Sequence, residues 1–239
     1  MATFHSHGKL ITIEPLYPED SAHSETGPSH REASQPVAAG ATHPAVMVVH
    51  GSGGGHSSIS QYSPMLARFG YAVFVVRYFE STGTRFASPS ATRQHFKTWL
   101  QVLGHAMDFM GAQPAVDKQR IGLLGLSLGG YLSMALASTD RRVKSVVNIF
   151  GGFPEPYASA VTAMPPTLIL HGDADPVVSV SEAYKAGEIL KKINAPHEFK
   201  VYPGLGHAFD PIHAVDASQR ILSFLSRYLK AAATAGPAK

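Results

Sequence analysis

From Pro44 onward, short runs of apolar residues alternate with longer segments in which apolar residues recur every three or four positions. Strand, helix, strand in regular succession is the signature of crossover units, which lay strands parallel in one sheet and helices against it. The runs 45–50, 71–78, 120–126, 143–150, 167–171 and 198–202 are the expected buried strands, and several are rich in Val and Ile, as strands covered on both faces are. A further short strand is expected near residues 10–16. Within 92–110, Phe96, Trp99, Leu103, Met107 and Met110 share one helical stripe, as do Ile221, Leu222, Leu225, Tyr228 and Leu229 near the C-terminal end. The expected fold class is therefore α/β, with a mostly parallel central sheet and helices on both faces.

Composition narrows what such a chain can do. At 239 residues and 44% apolar content it can bury one sizeable core, so residues 1–239 are expected to form one domain. Residues 18–43, dense in Pro, Ser, Glu, Gly and His, read as a surface excursion, and residues 231–239 as a flexible tail. The 20 basic and 17 acidic residues are scattered without a basic run, which speaks against a nucleic-acid partner. With no cysteine there is no disulfide framework, thiolate zinc site or cysteine nucleophile. No apolar stretch approaches the ~18 residues of a membrane span, and the N-terminus lacks a signal-peptide pattern, so a cytoplasmic location is expected. His5, His7, His23, His30 and His43 have no spacing that fixes a coordination geometry, and no metal is expected.

The strongest local signal is Gly125-Leu126-Ser127-Leu128-Gly129-Gly130, directly after an apolar run and directly before a helical stretch. A serine between two such glycines sits on a sharp strand-to-helix turn, where flanking side chains would keep strand and helix apart. A serine hydroxyl is a weak nucleophile and needs a base held in the right tautomer. Asp175 and His207 each follow a later strand, and in a parallel sheet the C-terminal ends of the strands share one edge. Ser127 as nucleophile, His207 as base and Asp175 as its orienting acid is the expected set, with Asp173 as the rival acid. Oxyanion donors are expected from the N–H of Leu128 and, in the loop His50-Gly51-Ser52-Gly53-Gly54-Gly55, the N–H of Ser52. That loop lacks the Gly-Lys-Ser/Thr of a phosphate-binding loop, and His56 stands where a dinucleotide fingerprint needs glycine, so no nucleotide or other cofactor is expected.

Together these residues resemble the dienelactone hydrolase family of the α/β-hydrolase superfamily. The resemblance runs from about Pro44 to Leu229 and is carried by Val48-Val49-His50-Gly51, Phe69 to Val73, Val116-Asp117 with Arg120-Ile121-Gly122, Gly125 to Tyr131, Val143 to Val147, His171 to Val178 and Gly206 to Phe209. It implies the α/β-hydrolase fold, and the triad carries over onto Ser127, Asp175 and His207. Two departures stand out: the namesake enzymes carry cysteine where this chain has Ser127, and their carboxylate-binding arginines correspond to stretches reading Phe79-Glu80-Ser81 and Phe209-Asp210-Pro211. Arg77 and Arg85 are the neighbouring cations. Only residues 151–166 lie where many relatives insert a lid, so no lid domain is expected, and Tyr78, Phe79, Phe153, Tyr157 and Phe209 are candidate walls of the substrate space. The expected activity is hydrolysis of a small-molecule ester or lactone. A peptidase or amidase of the same fold and a non-catalytic ligand-binding homologue are the alternatives.

Overall fold

The computed structural model describes residues 1–18, 42–54 and 62–230. Most of the 18–43 excursion, the tail 231–239, and Gly55, His56, His23 and His30 lie outside the described residues.

Eight strands make one sheet: β1 (Ala2–Ser6), β2 (Lys9–Leu16), β3 (His43–Val49), β4 (Ala72–Val76), β5 (Val116–Leu126), β6 (Val143–Ile149), β7 (Thr167–Gly172) and β8 (His197–Tyr202). Their order is β1-β2-β4-β3-β5-β6-β7-β8. From β4 to β8 every neighbouring pair is parallel, while β2 runs antiparallel to β1 and β4. Strand β1 was not among the expected strands. It is an edge strand that buries only Phe4 and Ser6, joined to β2 by a turn in which His7 and Gly8 both have positive φ, 51° and 72°. That is the backbone of a tight hairpin turn, entered here through His-Gly rather than the commoner Asn-Gly.

The described helices are α1 (Tyr62–Arg68), α2 (Pro89–Gly111), α3 (Leu128–Thr139), the single turn α4 (Tyr157–Ala160), α5 (Val180–Lys192) and α6 (Pro211–Leu225). α2 begins before the apolar stripe does, because Ser88 accepts the Ala91 N–H at 3.2 Å and Pro89 occupies the first helical position. α6 starts in the same way: Asp210 Oδ1 accepts the N–H groups of Ile212 and His213 at 3.0 and 2.9 Å, ahead of Pro211. Trp99 and Leu103 of α2, Leu132 of α3 and Leu190 of α5 bury against one face of the sheet. Leu66 of α1 and Ile221, Phe224 and Leu225 of α6 bury against the other. Every residue of β3 is buried, as a central strand covered on both sides must be. Between β6 and β7 the chain forms only α4, and no lid domain is inserted there.

Candidate active site

Four connections leave the C-terminal edge of the parallel strands close together. Gly51 follows β3, Ser127 follows β5, Asp175 follows β7 and His207 follows β8. Ser127 sits at φ 55°, ψ −118°, a backbone conformation that an L-residue with a side chain holds only at a cost of about 1–3 kcal/mol. The flanking glycines are sterically required. A Cβ on Gly125 would lie 2.2 Å from the Gly129 carbonyl oxygen, and one on Gly129 would lie 2.0 Å from that of Val49. Strand β5, helix α3 and the end of β3 thus meet backbone to backbone, and the serine is pushed out of the turn they form.

His207 lies with Nε2 2.9 Å from Ser127 Oγ and Nδ1 2.7 Å from Asp175 Oδ2. A carboxylate can only accept, so Nδ1–H donates to Asp175, and the neutral ring then presents Nε2 as acceptor for the serine hydroxyl. Asp175 is held from behind: its Oδ1 accepts the N–H groups of Val177 and Val178 at 2.8 and 2.9 Å, and its side chain is fully covered. Burial works against its ionisation, but the bonds from His207, Val178 and Val177 outweigh it and hold the carboxyl below the usual carboxylate range. Asp173 is engaged elsewhere, accepting the Gly204 N–H at 2.6 Å and so tying the end of β7 to the turn after β8.

Leu128 is the first residue of α3, and the N–H of a first helical residue has no intrahelical acceptor. The loop after β3 passes beside the serine, since a Cβ on Gly51 would stand 3.2 Å from Ser127 Cβ. Its carbonyls are engaged: Gly51 accepts from Gly54 N–H at 3.2 Å and from His50 Nδ1 at 2.9 Å, and Ser52 accepts from Ala87 N–H at 2.9 Å.

The five aromatic residues divide. Tyr78 is wholly buried, stacks on His50 with ring centroids 4.1 Å apart and donates its hydroxyl to the His50 carbonyl at 2.8 Å. Phe79 is also buried, against Trp99 and His50. These two rings support the loop after β3 from within the core; the alternation that marks a strand says nothing about the short 3-10 turn 78–81 on which they ride. Phe153 is buried in the core cluster that α2 covers, and Tyr157 packs beside Phe96. Phe209 is half-buried and lies 4.7 Å from the Phe150 ring, which in turn lies 5.4 Å from His207. The cation expected nearby is committed as well, since Arg77 Nε pairs with Glu14 Oε1 at 2.5 Å, whereas Arg85 is exposed. Glu80 accepts the Thr12 N–H at 2.7 Å.

Two residues at this edge were not singled out from sequence. Phe150, the residue after β6, has φ 53° and is buried with its ring against His207 and His171. A bulky residue in that backbone region is a strained outlier, and nothing in a single sequence announces it. His171, in β7, is fully buried, and burial pushes its imidazole below the ordinary histidine value of 6.5, more than Asp175 and Glu182 raise it. A base depressed in this way takes a proton more readily in the unfolded chain. The stability His171 contributes is therefore complete above about pH 6.5 and is lost as pH falls below that toward its lowered folded value. Replacing His171 by glutamine is expected to flatten that part of the acid-unfolding profile, read as urea midpoints at pH 7 and pH 5; equal losses in both proteins would contradict it.

Among the described residues no three His, Cys, Asp or Glu side chains are grouped to hold a metal ion, and no helix is long and apolar enough to cross a membrane.

The fold recurs in solved structures. The chain matches a dienelactone hydrolase-like promiscuous phosphotriesterase from metagenomic libraries with a TM-score of 0.76, covering 95% of this chain and 96% of that one at 16% identity. The fold is that of the α/β-hydrolases. Within that class the chain belongs to the dienelactone hydrolase family, whose model matches residues 33–235. Among curated relatives it is 29% identical over 133 residues to the carboxymethylenebutenolidase of Rhodococcus opacus, covering 47% of this chain and 52% of that protein. It is 30% identical over 122 residues to a probable inactive carboxylesterase of rice, covering 48% and 49%. The chain thus spans about half the length of these relatives. With a probable inactive carboxylesterase among them, family membership does not by itself establish catalysis.

Proposed function

We propose that this chain is a serine hydrolase that cleaves small carboxylic esters or lactones through an acyl-enzyme on Ser127. The observation that carries the reading is the unbroken run of hydrogen bonds from Ser127 Oγ to His207 Nε2 and from His207 Nδ1 to Asp175, at 2.9 and 2.7 Å. In this mechanism Ser127 Oγ attacks the substrate carbonyl carbon while its proton passes to His207 Nε2, and Asp175 stays ionised to stabilise the imidazolium. The carbonyl oxygen becomes an oxyanion that accepts from the N–H groups of Leu128 and Ser52; in other enzymes, loss of one such donor costs about 10²–10³ in rate. Collapse of the intermediate breaks the ester C–O bond, and His207 returns its proton to the departing alkoxide. Water, deprotonated by His207, then hydrolyses the acyl-enzyme and frees Ser127. For a lactone the first step opens the ring, the alcohol stays tethered to the acyl chain throughout, and the second step releases a single hydroxy acid.

The segment between β6 and β7 adds no lid over this edge, which favours small esters over lipid at an interface. The name of the Rhodococcus opacus relative points to a lactone; the stretches matching the namesakes' arginines read Phe79-Glu80-Ser81 and Phe209-Asp210-Pro211, and Arg77 is paired with Glu14, which leaves exposed Arg85 as the neighbouring cation. Neutral esters and lactones are accordingly the favoured substrates. The test is pre-steady-state hydrolysis of p-nitrophenyl acetate, alongside a panel of lactones and aminoacyl anilides. A burst of nitrophenol equal to the enzyme concentration is expected, with esters or lactones turned over faster than anilides. No burst and no turnover above buffer would favour a ligand-binding homologue, and preference for anilides would favour an amidase.

A further inference from the structure

His171 takes no part in the proton transfers set out above, yet it lies directly behind them. Its ring is fully buried, its Nε2–H donates to the Val178 carbonyl at 2.9 Å, and the same nitrogen stands 3.3 Å from Asp175 Oδ2. Among the described residues Nδ1 has no hydrogen-bond partner. A bare Nδ1 fits the neutral tautomer with its single proton on Nε2, because a second buried N–H without an acceptor would be the costlier defect. Asp175 and Val178 belong to one turn, in which the Val177 and Val178 N–H groups grip Asp175 Oδ1. The histidine N–H therefore bonds the far end of that turn, and its nitrogen lies 3.3 Å from the carboxylate oxygen that His207 uses.

The surroundings favour a neutral ring. Facing it are Asp175 and Val178 from the turn, His207 from the connection after β8, Glu182 from α5 and, edge-on at 5.9 Å, the ring of Phe150. A charged imidazole here would compete with His207 for the same oxygen of Asp175. A neutral one fixes the turn and leaves the carboxylate charge to His207.

We propose that His171 is a positioning residue for Asp175, a neutral imidazole whose Nε2–H pins the 175–178 turn to the end of β7 and so sets the contact between Asp175 Oδ2 and His207 Nδ1. This rests on the role given to Asp175 in the proposed function, and the experiment separates the two. Glutamine places its amide nitrogen near the reach of the imidazole Nε2, whereas asparagine reaches only as far as Nδ1. Three variants, His171→Gln, His171→Asn and His171→Leu, are compared with wild type by thermal unfolding, by kcat and KM for p-nitrophenyl acetate against pH, and by the low-field proton NMR line of His207 Nδ1–H.

Among variants that fold, glutamine is expected to retain the NMR line and kcat within about threefold. Asparagine and leucine are expected to weaken or shift the line and lower kcat roughly 10- to 100-fold, as a small misplacement of a reacting group does, with KM nearly unchanged. Asparagine equal to glutamine in both the line and kcat would mean that the ring only fills space, and would overturn the inference. A wild-type spectrum without the line would remove the contact on which it stands. A wild type without turnover, whose line still depends on glutamine against asparagine, would refute the proposed function and leave the positioning role supported.

Discussion

Replacing Ser127 by alanine is expected to lower ester turnover by about 10⁴- to 10⁶-fold, the scale seen when a nucleophile is removed from a unit that acts together. Circular dichroism and the unfolding midpoint are expected to change little, since the hydroxyl's bond is a single part-buried one to His207. The stronger form of the prediction uses glycine. Ser127 is held at φ 55°, ψ −118°, which glycine adopts without penalty, so Ser127→Gly is expected to abolish turnover and at the same time raise stability by about 1 kcal/mol. In a chain of this size that is roughly 2–4 °C in Tm. Loss of activity with a gain in stability would identify the turn as a place where backbone strain is retained for the sake of the hydroxyl it holds against His207. A glycine variant less stable than the alanine variant would contradict the strain argument, and full activity in either would end the assignment of Ser127.

The second large effect is structural. A Cβ on Gly129 would lie 2.0 Å from the Val49 oxygen and 2.6 Å from its carbonyl carbon. Those atoms are backbone and belong to the end of the central strand β3, so no side chain can swing aside to make room. Gly129→Ala is expected to cost about 3 kcal/mol or more. Activity is expected to fall with it, because relief requires the serine turn and the loop after β3 to separate. Gly53 supplies the control: among the described residues a Cβ there meets nothing within 4 Å, and Gly53→Ala is expected to change stability by no more than about 0.5 kcal/mol. Urea unfolding of the two variants decides the matter, and equal midpoints would contradict the close-approach argument.

What was legible in the sequence was mainly local. The run 120–126, the Gly-x-Ser-x-Gly turn and the helix after it lie within about twenty residues, and their chemistry follows from the need for strand and helix to approach. The convergence of residues 127, 175 and 207 was legible for another reason: parallel strands leave the sheet at one edge, so three positions remote in sequence share it. Features that depend on packing were not legible. Tyr78 and Phe79 occur in a stretch that suits a pocket wall as well as a core, and only the folded chain turns them inward beneath His50. Strand β1 buries too little apolar surface to stand out. The positive φ of Phe150 and the placement of His171 against Asp175 arise from contacts among β6, β7 and the turn that follows, which no periodicity encodes.

Reaction with a fluorophosphonate, followed by intact mass and peptide mapping, tests Ser127 as the nucleophile most directly. A single adduct is expected on the peptide carrying Ser127, formed far more slowly when His207 is alanine and not at all when Ser127 is. Label on a different residue, or an equal rate of labelling in the Ser127→Ala protein, would contradict it.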